Sequence, residues 1–137
     1  MSANTDDLRI RKTNQLISPE ELINDVSPSE RALETVASAR EAIHGILSGE
    51  DDRLLVIVGP CSIHDPAAAR EYATHLKAAA DKHGADIVVV MRVYFEKPRT
   101  TVGWKGLTTA PDLNNPFQNN KGLHPARRLL LDLAELG

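Results

Sequence analysis

The sequence predicts an α/β fold with a parallel sheet, and three observations carry that prediction. Two apolar runs of five residues, Leu54–Val58 and Ile87–Met91, are rich in β-branched side chains and have the length and continuity of strands buried on both faces. Between them lies a stretch with helical spacing, opened by Asp65-Pro66 and closed by Gly84. Strand, helix and strand in that order form a βαβ unit, whose two strands run parallel.

Taken in order, residues 1 to about 17 are polar and without period, an arm that needs a partner surface to become ordered. Ser18-Pro19-Glu20-Glu21 supplies a cap hydroxyl, a proline at the first helical position and a glutamate three residues after the cap. Ser27-Pro28-Ser29-Glu30 repeats that grammar and opens a helix predicted over roughly 28–48. Its inward stripe is Leu33, Val36, Ala37, Ile43 and Ile46-Leu47, and Gly49 is its stop. The first strand ends at Gly59-Pro60. The helix after Asp65 runs to about His83 with Ala69, Tyr72, Ala73, Leu76 and Ala80 inward. The second strand is predicted to continue through Arg92 and Val93, and a last helix to start at Pro125 with Ala126, Leu129, Leu130 and Leu133 inward.

The connections are unequal. The return from helix to second strand is Gly84–Asp86, whereas the first strand is left through Gly59–Asp65 and the second through the whole of Tyr94–His124. A structureless loop beyond about 12–15 residues is suspect in a compact domain. The long segments hang from the carboxyl ends of the strands, where open α/β sheets and (β/α)₈ barrels keep their sites.

Composition narrows the function classes. The chain has 137 residues, 42% hydrophobic and 26% charged, with 16 Lys and Arg against 19 Asp and Glu and a net charge of −3. That balance gives no global attraction to nucleic acid or to an anionic membrane. No apolar run approaches a membrane span, and the opening MSANTDDLRI lacks the apolar core of a secretory signal. A lone cysteine excludes an internal disulfide framework and suits a reducing compartment. The expected localisation is cytoplasmic. No G-x-G-x-x-G, Walker loop or nucleophile elbow is present.

Two segments carry chemistry. Gly59-Pro60-Cys61-Ser62-Ile63-His64-Asp65-Pro66 leaves the first strand. Cys61 there is either an inert small hydrophobe or a metal ligand or nucleophile, because a zinc site takes about three or four N/S ligands and one thiol does not make it. Asp65 is read as a helix cap. His64 and Asp65 could join Cys61 only if the turn folded back.

The segment MRVYFEKPRTTVGWK sets Arg92, Lys97, Arg99 and Lys105 against the single acid Glu96, with Thr100-Thr101 adding hydroxyls and Pro98 stiffening the chain. It is either a solvated basic loop or a cradle for a phosphorylated or carboxylated small molecule. His44 and His75 are read as surface residues, His83 as a helix-end residue favouring the dipole, and His124 as a turn residue. Trp104 either lines a site or anchors the long loop.

GPCSIHDP followed one βα unit later by MRVYFEKPRTTVGWKGL resembles the class I 3-deoxy-D-arabino-heptulosonate 7-phosphate (DAHP) synthases of the feedback-regulated enterobacterial type. DDLRI near the start, the DDRLLVIVGP approach and the FQxNxGLxxARRLLLD stretch fit as well, so the resemblance covers nearly the whole chain. One departure is Thr108-Thr109-Ala110, where the family usually has an Ile-Asn-Asp-like turn.

The resemblance implies a (β/α)₈ barrel with a helical N-terminal extension. Residues 1–53 would be the arm and extension, and residues 54–137 the first βα units of an incomplete barrel. It implies a transferase of the shikimate pathway to the aromatic amino acids, condensing phosphoenolpyruvate with erythrose 4-phosphate and water to DAHP and phosphate. By matching position, Cys61 would be one ligand of a divalent ion of the Mn, Fe, Zn or Co class. Arg92 and Lys97 would hold phosphoenolpyruvate, Lys97 also being the candidate for a proton transfer, and Arg99 with Thr100 would hold the aldose phosphate. The family forms homo-oligomers, and no nucleic acid or membrane partner is expected.

A barrel takes about 250 residues, and the family's remaining metal ligands (a histidine, a glutamate and an aspartate) and further phosphate-binding Arg and Lys lie on later strands. The chain is therefore expected to be an N-terminal piece, inactive as a synthase by itself and poorly soluble. The competing expectations are a non-catalytic fragment that associates with an intact synthase through the arm at Asp6-Asp7 and the long helix, and a self-contained phosphate-binding α/β domain.

Overall fold

A computed structural model describes residues 9–10, 12–97, 103–113 and 117–137. The order of elements is α1 (Pro19–Asp25), α2 (Glu30–Ser48), β1 (Leu54–Val58), α3 (Pro66–His83), β2 (Ile87–Met91) and α4 (Asn119–Leu136). The βαβ unit is present: β1 and β2 pair in parallel, in a register that sets Leu54 against Ile87 and Val58 against Met91. Helix α3 lies against β2 and α4, and α2 against α4 and both strands. No described helix is long and apolar enough to cross a membrane.

Local signals set most boundaries. Ser18 accepts from Glu21 N at 3.1 Å while the Glu21 carboxylate accepts from Ser18 N at 3.0 Å, a reciprocal capping box around Pro19. Those bonds, first the one from the Ser18 backbone, hold the Glu21 carboxyl below its ordinary value of 4.5. A depressed carboxylate stabilises the folded state above its unfolded value, and that contribution disappears as pH falls through the folded one. Amide exchange of α1, corrected for its intrinsic pH dependence, is accordingly expected to accelerate as pH drops below about 4.5, and Glu21→Gln should remove that acid limb. An unchanged acid limb in the variant would show that the box does not hold α1.

The second serine box works differently from its sequence reading. Ser29, not Ser27, caps α2, accepting from Ala32 N. Ser27 belongs to the end of α1, where its hydroxyl donates to Ile23 O and Asn24 O. Two serines two residues apart serve the exit of one helix and the entry of the next. Gly49 closes α2 in the left-handed conformation as expected.

The inward stripe of α2 is rotated from the predicted one. Ala32 is buried, and Ala39, Ala42, Ile43 and Ile46 are half-buried, while Leu33, Val36, Ala37 and Leu47 are exposed. Helix α2 lies against α4 and both strands, and the face it turns inward carries the alanines and isoleucines rather than Leu33 and Leu47.

The strands also differ from the expectation of burial on both faces. Leu54 and Ile57 are each 65% exposed and β2 is half-buried throughout. A continuous apolar run needs a layer on each face, and the described elements do not cover both sides of β1. By backbone pairing β2 ends at Met91, although the Arg92 amide still donates to Val58 O at 2.8 Å.

Helix α4 starts six residues before the predicted position and contains Pro125. Proline inside a helix removes one hydrogen bond and ordinarily costs about 3 kcal/mol. Tertiary contacts hold the turn ahead of it. Gln118 N donates to Thr109 O at 3.0 Å, and Gly122 packs where a Cβ would lie 2.2 Å from Thr108 O. His124 is therefore a helical residue and not a turn residue.

The best-buried cluster is Ile63, Ala69 and the fully buried Leu129, flanked by Val93, Phe95 and Leu133. Ile63, Val93 and Phe95 all follow strand ends, so the core sits directly beneath the carboxyl end of the sheet. Of the inward set predicted for α3, Ala69 and Ala73 are buried and Tyr72 is 38% exposed. Ala126 of α4 is also buried, while Leu130 is 46% exposed.

Candidate anion and metal-ligand site at the strand ends

The two chains leaving β1 and β2 are bound to each other. After Val58, the segment Gly59–Ser62 arches over the end of β2 and lands where Ile63 N donates to Tyr94 O at 2.8 Å. The arch passes so close to β2 that a Cβ on Gly59 would lie 2.2 Å from Arg92 O and 2.9 Å from Arg92 N. Only a residue without a side chain fits that crossing.

The Arg92 side chain then closes the arch from the other strand. Its Nη1 donates to Pro60 O at 2.6 Å and to Cys61 O at 2.9 Å, and the guanidinium stands 4.8 Å from the Tyr94 ring centroid. Among the described residues Nε and Nη2 have no acceptor. A half-buried guanidinium fixed through one nitrogen and an aromatic face keeps its remaining donors in a set direction.

Cys61 is exposed, so it is not the buried filler that one reading of the sequence allowed. Lys97 Nζ lies 3.8 Å from its Sγ. Cys61, Arg92 and Lys97, separate in sequence, thus share one strand-end surface. Arg99 and Thr100 lie outside the described residues, as do Asp6 and Asp7 of the arm.

The long connection after β2 has structure of its own. Glu96 pairs antiparallel with Gly106, Lys97 N donates to Lys105 O at 3.1 Å, and Leu107 N donates to Phe95 O at 2.9 Å. The two described ends of the basic segment, 95–97 and 105–107, are therefore held together. Trp104 anchors it, its Nε1 donating to Ala110 O at 2.8 Å, and its ring meets His64 edge-on with centroids 6.0 Å apart.

Sequence reasoning missed the part played by Glu96. Its Oε2 accepts from Thr109 Oγ1 at 3.2 Å and its carboxylate lies against Gly106, while Oε1 is buried without a partner among the described residues. The one acid in a run of cations was the available signal. Thr109 in turn accepts from Gln118 N through its carbonyl, so the base of the basic loop is tied to the start of α4.

The donor set fits a metal only in part. Cys61 offers one accessible soft ligand, but Asp65 caps α3 by accepting from Ala67 N and Ala68 N, and His64 faces Trp104. Among the described residues no three His, Cys, Asp or Glu side chains converge. This surface can supply one sulfur to a divalent ion and two fixed cations to an anion.

Residues 23–134 match the model of the DAHP synthetase I family. The chain is 56% identical over 137 residues to the Phe-sensitive phospho-2-dehydro-3-deoxyheptonate aldolase of Escherichia coli K12, covering 100% of this chain and 39% of that protein. It is 53% identical over 133 residues to the Trp-sensitive aldolase of Salmonella typhi, covering 97% of this chain and 38% of the relative. The solved phospho-2-dehydro-3-deoxyheptonate aldolase of Francisella tularensis superimposes with a TM-score of 0.87 at 55% identity, covering 92% of this chain and 37% of that one. The chain thus spans less than two fifths of the length of these relatives.

Proposed function

Because the chain belongs to the DAHP synthetase I family, we propose that it forms the first strand ends of a metal-dependent DAHP synthase, joining phosphoenolpyruvate to erythrose 4-phosphate and water with release of phosphate. The observation that carries this reading is the convergence of Cys61, Arg92 and Lys97 at the carboxyl end of a parallel pair. In this reading the whole fold is a (β/α)₈ barrel, residues 54–137 being its opening units and residues 1–53 its N-terminal extension.

The roles are then those the family resemblance implies, supported for Arg92 and Lys97 by their convergence with Cys61. Arg92, fixed through Nη1, turns its other donors to the carboxylate of phosphoenolpyruvate, with Lys97 beside it. Arg99 and Thr100 take the aldose phosphate. Two phosphorylated anions must approach within bonding distance, and several fixed cations offset their repulsion without reorganising as the reaction proceeds. C3 of phosphoenolpyruvate attacks the aldehyde carbon, water adds at C2, and the phosphate leaves. Cys61 would be one ligand of the divalent ion, which when bound supplies Lewis acidity to the aldehyde oxygen. Lys97 is the candidate to hold or move a proton near that point.

A chimera tests the proposal. Residues 1–137 are fused in register to the remainder of the Escherichia coli Phe-sensitive relative and compared with the 137-residue chain alone. Phosphate release from the two substrates with a divalent ion is expected from the chimera and not from the chain alone, which contributes a single metal ligand. A folded chimera without phosphate release would overturn the assignment. Release by the chain alone would overturn the need for the further ligands.

A further inference from the structure

One edge of α4 carries three polar side chains spaced a turn apart, Asn120, His124 and Arg127, and each grips the N-terminal segment. Asn120 Nδ2 donates to Gln15 O and its Oδ1 accepts from Ile17 N, both at 3.0 Å. Arg127 Nε donates to Val26 O at 2.8 Å. These bonds run to backbone atoms. Between them, among the described residues, His124 is the one of the three that reaches a side chain of the segment: Nε2 stands 3.1 Å from Asp25 Oδ2, while Nδ1 stands 3.1 Å from Asn120 O.

The partners of that imidazole decide its chemistry. A carbonyl oxygen and a carboxylate oxygen are both acceptors, and a neutral imidazole has one N–H to offer. Only the imidazolium satisfies both. We propose that His124 is a pH-sensitive latch that holds α1 on α4 when protonated and loosens it when neutral, the Asn120 and Arg127 contacts holding the segment on either side. This goes beyond the synthase reading and does not rest on it.

The surroundings support a single titrating member. Asp25 and, one turn earlier on α1, Glu21 face from the N-terminal side, Glu21 being held in its capping box. On α4 the neighbouring charges are Lys121, paired with Asp112, and Arg127 and Arg128. Carboxylates, lysines and arginines do not ordinarily change charge between pH 6 and 8.5. The bond to Asp25, and after it the Asn120 carbonyl, raise His124 above the ordinary imidazole value of 6.5. A raised imidazole contributes its stabilisation fully below the unfolded value and loses it as pH rises through the folded one. The latch therefore opens on the alkaline side.

The test is a pH series from 6 to 9 on the 137-residue chain, following the His124 ring by NMR and α1 amide exchange corrected for its intrinsic pH dependence. In the wild type, α1 exchange should accelerate by about two- to fivefold, the range open to a solvent-facing ion pair, with the midpoint of the His124 titration. Asp25→Asn should return that midpoint toward 6.5. His124→Arg, a permanent cation, should leave α1 protected across the series, and His124→Gln should leave it uniformly loosened. Alpha1 protection that does not change through the His124 midpoint would overturn the proposal, and this arm needs only the wild-type protein. The same pH dependence in His124→Arg as in the wild type would overturn it as well.

Discussion

Replacing Arg92 with alanine in the chimera is expected to lower phosphate release by about 10²–10³-fold, the usual cost of removing one preorganised donor from a site where charge is handled. The residue has two tasks, and the substitution removes both: the donors aimed outward, and the bonds from Nη1 that tie Pro60 O and Cys61 O to β2. Arg92→Lys separates them from charge alone. An ammonium keeps the charge but cannot reach two carbonyls and stack on Tyr94 while presenting a planar fork to a carboxylate. Lysine is therefore expected to leave activity well below wild type and to raise the KM for phosphoenolpyruvate more than that for the aldose. Activity in Arg92→Lys equal to the wild type would mean that only charge matters at this position.

The second large effect is expected at Gly59, which touches no substrate in this account. A methyl group there would lie 2.2 Å from Arg92 O and 3.0 Å from Arg92 C, so backbone must move and no flexible side chain can absorb the strain. Overpacking of this kind typically costs about 1–3 kcal/mol, and Gly59→Ala belongs at the upper end because both colliding partners are main chain. A displacement of about 1 Å in a positioning group can cost on the order of 10²-fold in rate. Urea unfolding and phosphate release of the Gly59→Ala chimera should therefore fall together. An alanine variant with wild-type stability and rate would show that the arch over β2 has room to spare.

These expectations show which parts of the molecule were legible in the sequence. The βαβ unit was, because Asp65-Pro66 and Gly84 punctuate it and the two apolar runs have strand length. The proximity of Cys61 to Arg92 was legible as topology, since both follow parallel strands, but the arginine's grip on the Cys61 carbonyl was not. Pro125 misled because proline favours the first helical turn, and nothing local reveals that Gly122 and Gln118 are held by the Thr108 and Thr109 carbonyls. The α2 stripe was misread because hydrophobicity favoured Leu33 and Leu47, whereas the face turned inward carries Ala32, Ala39, Ala42, Ile43 and Ile46. Glu96 stood in plain view as the one acid among cations, yet its contact with Thr109 depends on a turn that sequence spacing does not fix.

The central claim is that Cys61, Arg92 and Lys97 form one site for a divalent ion and a phosphorylated carboxylate. A crystal structure of the chimera with phosphoenolpyruvate and a divalent ion tests it most directly. The account predicts the ion within about 2.5 Å of Cys61 Sγ and the phosphoenolpyruvate carboxylate within hydrogen-bonding distance of Arg92 and Lys97. Phosphoenolpyruvate bound away from Arg92, or an ion coordinated without Cys61, would contradict it.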